Sequence, residues 1–184
     1  MIGKYYLYYV FLSCCSLVNV FGGKNVKEIG ISAFESVAEI WNLSSIQINV
    51  GQYGSLAVYD DLNIPSKTWR TDDNYLFYEN GTECYLLGNI DSSVAWFVDA
   101  EVNLILPSDC NGKAYAIANG AFSICAIDTI VIHSNVTTID RYAFYDSNIK
   151  GDVYFTGTKE QWEEITSGGI YNLKTPIFDY KYGE

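Results

Sequence analysis

A single histidine in 184 residues removes most of the usual catalytic and metal-binding machinery. His133 stands at a strand end and the cysteines are scattered, so neither a zinc constellation nor a histidine-based triad with a backup imidazole is convincingly assembled around it. Basic residues are also scarce. Eleven Lys and Arg against 22 Asp and Glu give a net charge of −11, and such a surface repels nucleic-acid phosphates and anionic lipid headgroups. Nucleic acid is set aside as a partner. Of the five cysteines, Cys14 and Cys15 lie in an apolar N-terminal run, leaving Cys84, Cys110 and Cys125. An odd set permits one disulfide at most, with one thiol over, and this excludes a disulfide scaffold. No calcium-loop or phosphate-loop spacing is present either. Asp60-Asp61 and Asp72-Asp73 lack the alternating oxygen ligands and final Glu of a calcium loop. Gly22-Gly23 and Gly168-Gly169 lack the strand–loop–helix context of a phosphate cradle. The acidic pairs read as solvated turns; the enzymatic alternative is a hydrolase in which they converge in a cleft. No catalytic, cofactor-binding or metal-ligating residue is assigned, and no cofactor is expected.

What the chain does have is apolar and aromatic content. Hydrophobic residues make up 49% and can fill a core, while 16 tyrosines suit half-buried strands and contact surfaces alike. Residues 1–23 read as a signal peptide or, if uncleaved, a membrane anchor. Lys4 is the lone charge before the apolar run from Tyr5 to Phe21, and Gly22-Gly23 supply small residues for cleavage. The run is short for a membrane span, which favours export. Three N-glycosylation sequons occur, at Asn42-Leu43-Ser44, Asn80-Gly81-Thr82 and Asn135-Val136-Thr137, consistent with passage through a secretory route.

An internal repeat organises the second half. Ile117-Ala118-Asn119-Gly120-Ala121-Phe122 aligns with Ile139-Asp140-Arg141-Tyr142-Ala143-Phe144 at an offset of 22, shared by Ile127 with Ile149 and Cys125 with Ser147. Ile130-Val131-Ile132 and Val153-Tyr154-Phe155 are β-branched or aromatic strands at equivalent places, and Leu104-Ile105-Leu106 is the same strand one coil earlier. Val26-x-x-Ile29-Gly30-x-x-Ala33-Phe34 is a diverged further copy. A coil this short cannot bury its apolar residues alone, so copies must stack, with equivalent residues forming ladders.

These units resemble the BspA-like leucine-rich repeats, whose pattern runs Ile-Gly-x-x-Ala-Phe-x-x-Cys, then Leu, a strand ending in Pro, and Val-x-x-Ile. Ile127 stands for the Leu, His133 for the Pro and Asp140 for the Gly. Val153 to Ile165 resembles the family's closing segment, a strand running into a short Trp-bearing helix, followed by a last strand over Thr175–Tyr180. The helix also stands on its own residues: Thr158 and Gln161 form a capping box, and Trp162 and Ile165 share one face. The fold class is therefore α/β and β-rich: a short right-handed solenoid with parallel strands, an irregular N-terminal β unit and a C-terminal capping helix.

Residues 24–100 divide from the repeats of 101–184 in this scheme. Val37, Ile40, Trp41 and Leu43 predict a short amphipathic helix within 35–48. Gly51–Gly54 marks a turn, Ser55–Tyr59 a strand and Asp60–Lys67 a loop. Tyr75–Tyr78 and Glu83–Leu87 flank Asn80-Gly81 as a hairpin, and Val94–Val98 adds a strand. The resemblance implies an exported, non-enzymatic recognition or adhesion module that binds a protein or matrix partner and touches membrane only through an uncleaved N-terminal segment. The expected contacts face outward from the repeat strands: Asp128, Val131, His133, Asp152 and Tyr154. The alternative is a purely structural solenoid cap without a specific ligand.

Overall fold

The computed structural model describes residues 18–30, 33, 37–91 and 102–182, which fall in two compact units, Met1–Ser66 and Lys67–Glu184. In the first unit three parallel strands pair in order: β1 (Asn19–Gly22), β2 (Glu39–Asn42) and β3 (Ala57–Tyr59). The register aligns Phe21 with Trp41 and Trp41 with Tyr59, so their rings stack along the sheet at 4.9 Å spacings. Ala33, Val37 and Ile40 form the core, with Val20, Ile29, Ile48 and Val58 against it. The helix expected within 35–48 is absent where the chain is described, and β2 takes its place. Every residue from Val37 to Trp41 is buried. Only the buried Glu39 interrupts this apolar segment, and so short a run is not separated from a helix by its periodicity alone. Gln52–Gly54 form a 3₁₀ turn where the sequence places a turn, and Gly51 enters it at φ +86°. Phe34 lies outside the described residues, as does most of the expected leader; the leader's last residues are β1.

The second unit begins with an antiparallel meander, β4 (Thr68–Arg70), β5 (Tyr75–Asn80) and β6 (Glu83–Asn89). The hairpin loop is Gly81-Thr82, one residue later than the sequence suggests, with Gly81 at φ +60°, as a Gly-first two-residue loop requires. The expected strand at Val94–Val98 falls outside the described residues. Three coils follow on this frame. β6 is continued by β7 (Leu104–Ile105). The second coil is β8 (Tyr115–Ile117), β9 (Ala126–Ile127) and β10 (Ile130–Ile132). The third is β11 (Val136–Ile139), β12 (Asn148–Ile149) and β13 (Val153–Phe155). Every coil-to-coil pairing is parallel, in the orders β6-β8-β11, β9-β12 and β7-β10-β13. The hairpin, grouped by sequence with the N-terminal segment, is thus joined to the repeats through β6 and β8, and the compact units divide between Ser66 and Lys67.

The ladders are those the 22-residue offset demands. Ile117 pairs with Ile139, Ile127 with Ile149, and the Phe122 and Phe144 rings stack at 5.3 Å and 13°. Parallel neighbours sit about 4.8 Å apart, so a side chain at a given column necessarily rests on its equivalent. The Ala-Phe turn is tight because Ala121 and Ala143 are small and buried, and Phe122 N–H donates to the Ala143 carbonyl at 2.7 Å. Ser147 donates its hydroxyl to the Phe122 carbonyl, binding one coil to the next at the Cys125/Ser147 column. Where β6 ends, Gly88 at φ +142° passes so close to the turn that a Cβ would run into the Ala121 carbonyl oxygen. Cys84 and Cys110 are disulfide-bonded and Cys125 is buried, which resolves a pairing the sequence leaves open.

Helix α1 (Lys159–Ile165) closes the unit with the expected capping box, Thr158 Oγ1 accepting from Gln161 N–H while Gln161 Oε1 accepts from Thr158 N–H. Trp162 and Ile165 are buried, and Trp162 packs on Phe155 at 5.3 Å. The last strand expected over Thr175–Tyr180 is reduced to one parallel bridge, Tyr154 with Ile177. Pro176 has no N–H to donate and Asp179 turns back at φ +52°, so a longer ladder cannot form.

Candidate functional site

The β7-β10-β13 sheet is the place where the sequence puts the contact residues, and its outer face is largely covered. Val131 lies between Ile105 and Tyr154 in register and is 6% exposed, so its expected outward contact is corrected to a packed position. Tyr154 is half-buried because Tyr180 stacks on it at 4.3 Å, carried there by the Ile177 bridge. Burial and then the neighbouring Asp152 carboxylate raise the Tyr154 phenol above its ordinary value. Asp128 is half-buried beside Gly151, whose N–H donates to the Asp128 carbonyl at 2.8 Å. His133, at the end of β10, is half-buried, and that burial pushes its imidazole pKa down. Of the five residues Asp152 alone is exposed. They share one sheet but do not make an open surface.

The open surface lies instead on the Ala-Phe turn of the third coil. Tyr142, Tyr145 and Tyr171 are 43%, 53% and 39% exposed, yet their rings touch one another at 5.4 to 6.3 Å. Arg141 organises them. Its guanidinium lies 4.8 Å from the Tyr171 ring centre and 5.8 Å from that of Tyr142, and it donates to the Tyr171 hydroxyl at 2.5 Å. Tyr171 N–H in turn donates to the Arg141 carbonyl at 3.1 Å, which fastens the segment after α1 to the turn. Asp140 Oδ1 accepts from Tyr142 N–H at 2.9 Å and holds the entry to the turn. A cation packed against aromatic faces keeps the rings from collapsing inward while leaving their edges in solvent. The result is a rigid, amphipathic patch of Tyr and Arg, the residue types that concentrate binding energy at protein interfaces.

The sequence does hold a signal for this patch, in columns that do not form ladders. One coil earlier the equivalents of Tyr142 and Tyr145 are Gly120 and Ser123, so two aromatic side chains appear on the third coil where the second has almost nothing. Attention to the conserved offset alone passes over such differences. Tyr171 has no counterpart in the repeat and is brought to the patch by the turn after α1.

The acidic pairs are turns. Asp61 Oδ1 accepts from Asn63 N–H at 2.9 Å, and Asp72-Asp73 sits exposed between β4 and β5. Among the described residues no group of three or more His, Cys, Asp or Glu is placed to hold a metal ion, and no helix is long and apolar enough to cross a membrane.

The family model of the BspA type leucine rich repeat region matches the chain in six copies over residues 4–92 and 102–173, taking in the diverged N-terminal copy and the hairpin as well as the regular coils. Searches of curated proteins and of solved structures return no match.

Proposed function

The chain belongs to the BspA-type leucine-rich-repeat family, and from that premise we propose that it is an exported, non-enzymatic recognition module that binds a protein partner. The observation that carries this is the Arg141-braced cluster of Tyr142, Tyr145 and Tyr171. Large rings held half-exposed by a guanidinium lose little entropy on binding and present both apolar area and hydroxyls. The Cys84–Cys110 disulfide supports export, since such bonds persist in oxidising compartments. The excess of acidic residues favours a partner with basic groups at the rim of the contact.

The test is saturable binding of the secreted full-length chain to cells and to immobilised extracellular-matrix proteins. Tyr145→Ala and Tyr142→Ala are expected to weaken that binding about five- to thirtyfold each, as loss of about 1–2 kcal/mol at a contact hot spot implies. Because both side chains are exposed, the melting temperature should stay close to that of the parent. Binding that saturates but ignores both substitutions would move the contact elsewhere on the coils. Absence of any saturable binding would leave the structural cap as the better account.

A further inference from the structure

We propose that Asn80 and Asn135 are N-glycan acceptor sites in the folded, secreted protein and that Asn42 is not. All three carry the required hydroxyl two residues on, at Thr82, Thr137 and Ser44. The fold separates them. Asn80 is exposed at the end of β5, immediately before the Gly81-Thr82 loop, and Thr82 is exposed as well. Its Oδ1 accepts from Lys67 Nζ at 3.0 Å, which engages the amide oxygen and not the nitrogen that would carry the sugar. Asn135 lies in the turn between β10 and β11. It is exposed, and so is Thr137, while the intervening Val136 is buried and anchors the turn.

Asn42 is built differently. It is the last residue of the central strand β2, paired in register with Gly22, and it is half-buried. Its Nδ2, the atom that would carry the sugar, donates inward to the Ile46 carbonyl at 2.6 Å. Its Oδ1 accepts from both Ser44 N–H at 3.2 Å and Ser44 Oγ at 2.7 Å, and that Oγ accepts from Ile46 N–H at 3.2 Å. The whole sequon is folded into a closed loop of hydrogen bonds. An oligosaccharide on Nδ2 would have to be accommodated at a half-buried nitrogen already engaged with the Ile46 carbonyl.

The chemistry needs a donor of one class, an oligosaccharide carried on a lipid pyrophosphate. The Asn Nδ2 forms a bond to the anomeric carbon, the carbon–oxygen bond to pyrophosphate breaks, and the lipid pyrophosphate leaves with the electron pair. One amide proton passes to the transferring enzyme's base. No oxidant or reductant is involved. Transfer meets the chain before folding is complete, so the fold acts by deciding which glycosylated chains reach the native state.

The placement also bears on the binding surface. Asn135 is two residues beyond His133, at one end of β11, and Tyr142 follows the other end. A glycan at Asn135 screens the His133 edge of the coil and leaves the tyrosine cluster open. This inference rests on the export reading, so the experiment supplies entry to the secretory route independently. The full-length chain is expressed behind a heterologous secretory leader in a cell with an N-glycosylation pathway. Folded material is recovered by its intact Cys84–Cys110 disulfide, and occupancy is read by mass spectrometry after enzymatic glycan release in heavy-oxygen water. The label is expected at residues 80 and 135 and not at 42. Thr82→Ala and Thr137→Ala, which keep both asparagines, should each remove one glycan's worth of mass. Label at residue 42 in folded material, or none at 80 and 135, overturns the proposal. The native leader is tested in a separate arm, and its failure there would count against export and leave the acceptor assignment standing.

Discussion

At the residue scale the Ala-Phe turn carries a conformational load that its ladder partners conceal. Ile124 and Asp146, 22 residues apart, both adopt φ +56°, so the left-handed residue that closes the turn is itself a repeated feature. Asp tolerates that conformation, whereas a β-branched side chain meets its own backbone there. Ile124→Asn is therefore expected to raise stability by about 1 kcal/mol, read as an increase in the urea midpoint; a lower midpoint would show that the packing of Ile124 outweighs its strain. The ladder isoleucines and phenylalanines are legible in the sequence because their spacing is fixed by stacking. The left-handed position is not, because Ile and Asp share no chemistry that would mark it. His133 supplies a pH prediction. Burial holds its folded pKa below the ordinary value of 6.5, so at high pH it is neutral in both states and contributes no pH dependence. As pH falls through 6.5 the unfolded chain takes up a proton that the folded chain resists, and stability declines. Melting temperatures between pH 8 and 5.5 should fall for the parent and fall less for His133→Gln. Equal slopes would remove His133 as the cause.

At the element scale the legible parts are those with a local physical signature. The closing helix is announced by Thr158, Gln161 and a Trp162/Ile165 face, and each reappears in its expected role. Strand β2 is mistaken for a helix because its pattern is set by neighbours on both sides, which no short window contains. Strand β1 is hidden for a related reason: Asn19–Gly22 ends an apolar run that has the composition of a leader. Its role has a consequence for export. Val20 packs on the core of the first unit and Phe21 stacks on Trp41. With its amide nitrogen turned inward, Asn19 also donates to the buried Glu39 carboxylate at 3.1 Å. Cleavage near Gly23 would strip the edge from β2 and leave Trp41 and Glu39 with fewer partners. The mature chain is accordingly expected to begin at or before Asn19, and N-terminal sequencing of the secreted protein decides it. A start at Gly23 or later, in a protein whose first unit remains folded, would show that β1 is dispensable.

At the scale of the whole molecule, what the sequence withholds is anything that depends on bringing distant segments together. Three cysteines outside the leader leave three pairings open, and only folding selects Cys84 with Cys110 by laying β6 beside the segment that follows β7. The tyrosine cluster is readable only in part, since Tyr142 and Tyr145 stand out from Gly120 and Ser123 one coil earlier, whereas Tyr171 reaches them through a turn outside the repeat. The disulfide matters most for the irregular side of the second unit. It joins residues 26 apart in sequence, and Lys113, which bridges to Cys110, also forms an ion pair with Glu79 on β5. The hairpin has its own antiparallel ladder and the β6–β8 pairing, and the crosslink and one partly exposed ion pair add to these. Closing a loop of that length stabilises the folded state by about 3–4 kcal/mol through the entropy it removes from the unfolded chain. Reduction should therefore lower the melting temperature by several degrees and, more tellingly, should do so unevenly. Amide exchange in β5 and β6 is expected to accelerate before that of β10 and β13, which are buried in parallel ladders and share no covalent tie with the hairpin. Uniform acceleration would instead mean that the hairpin and the coils unfold as one cooperative block, with the disulfide acting on all of it equally.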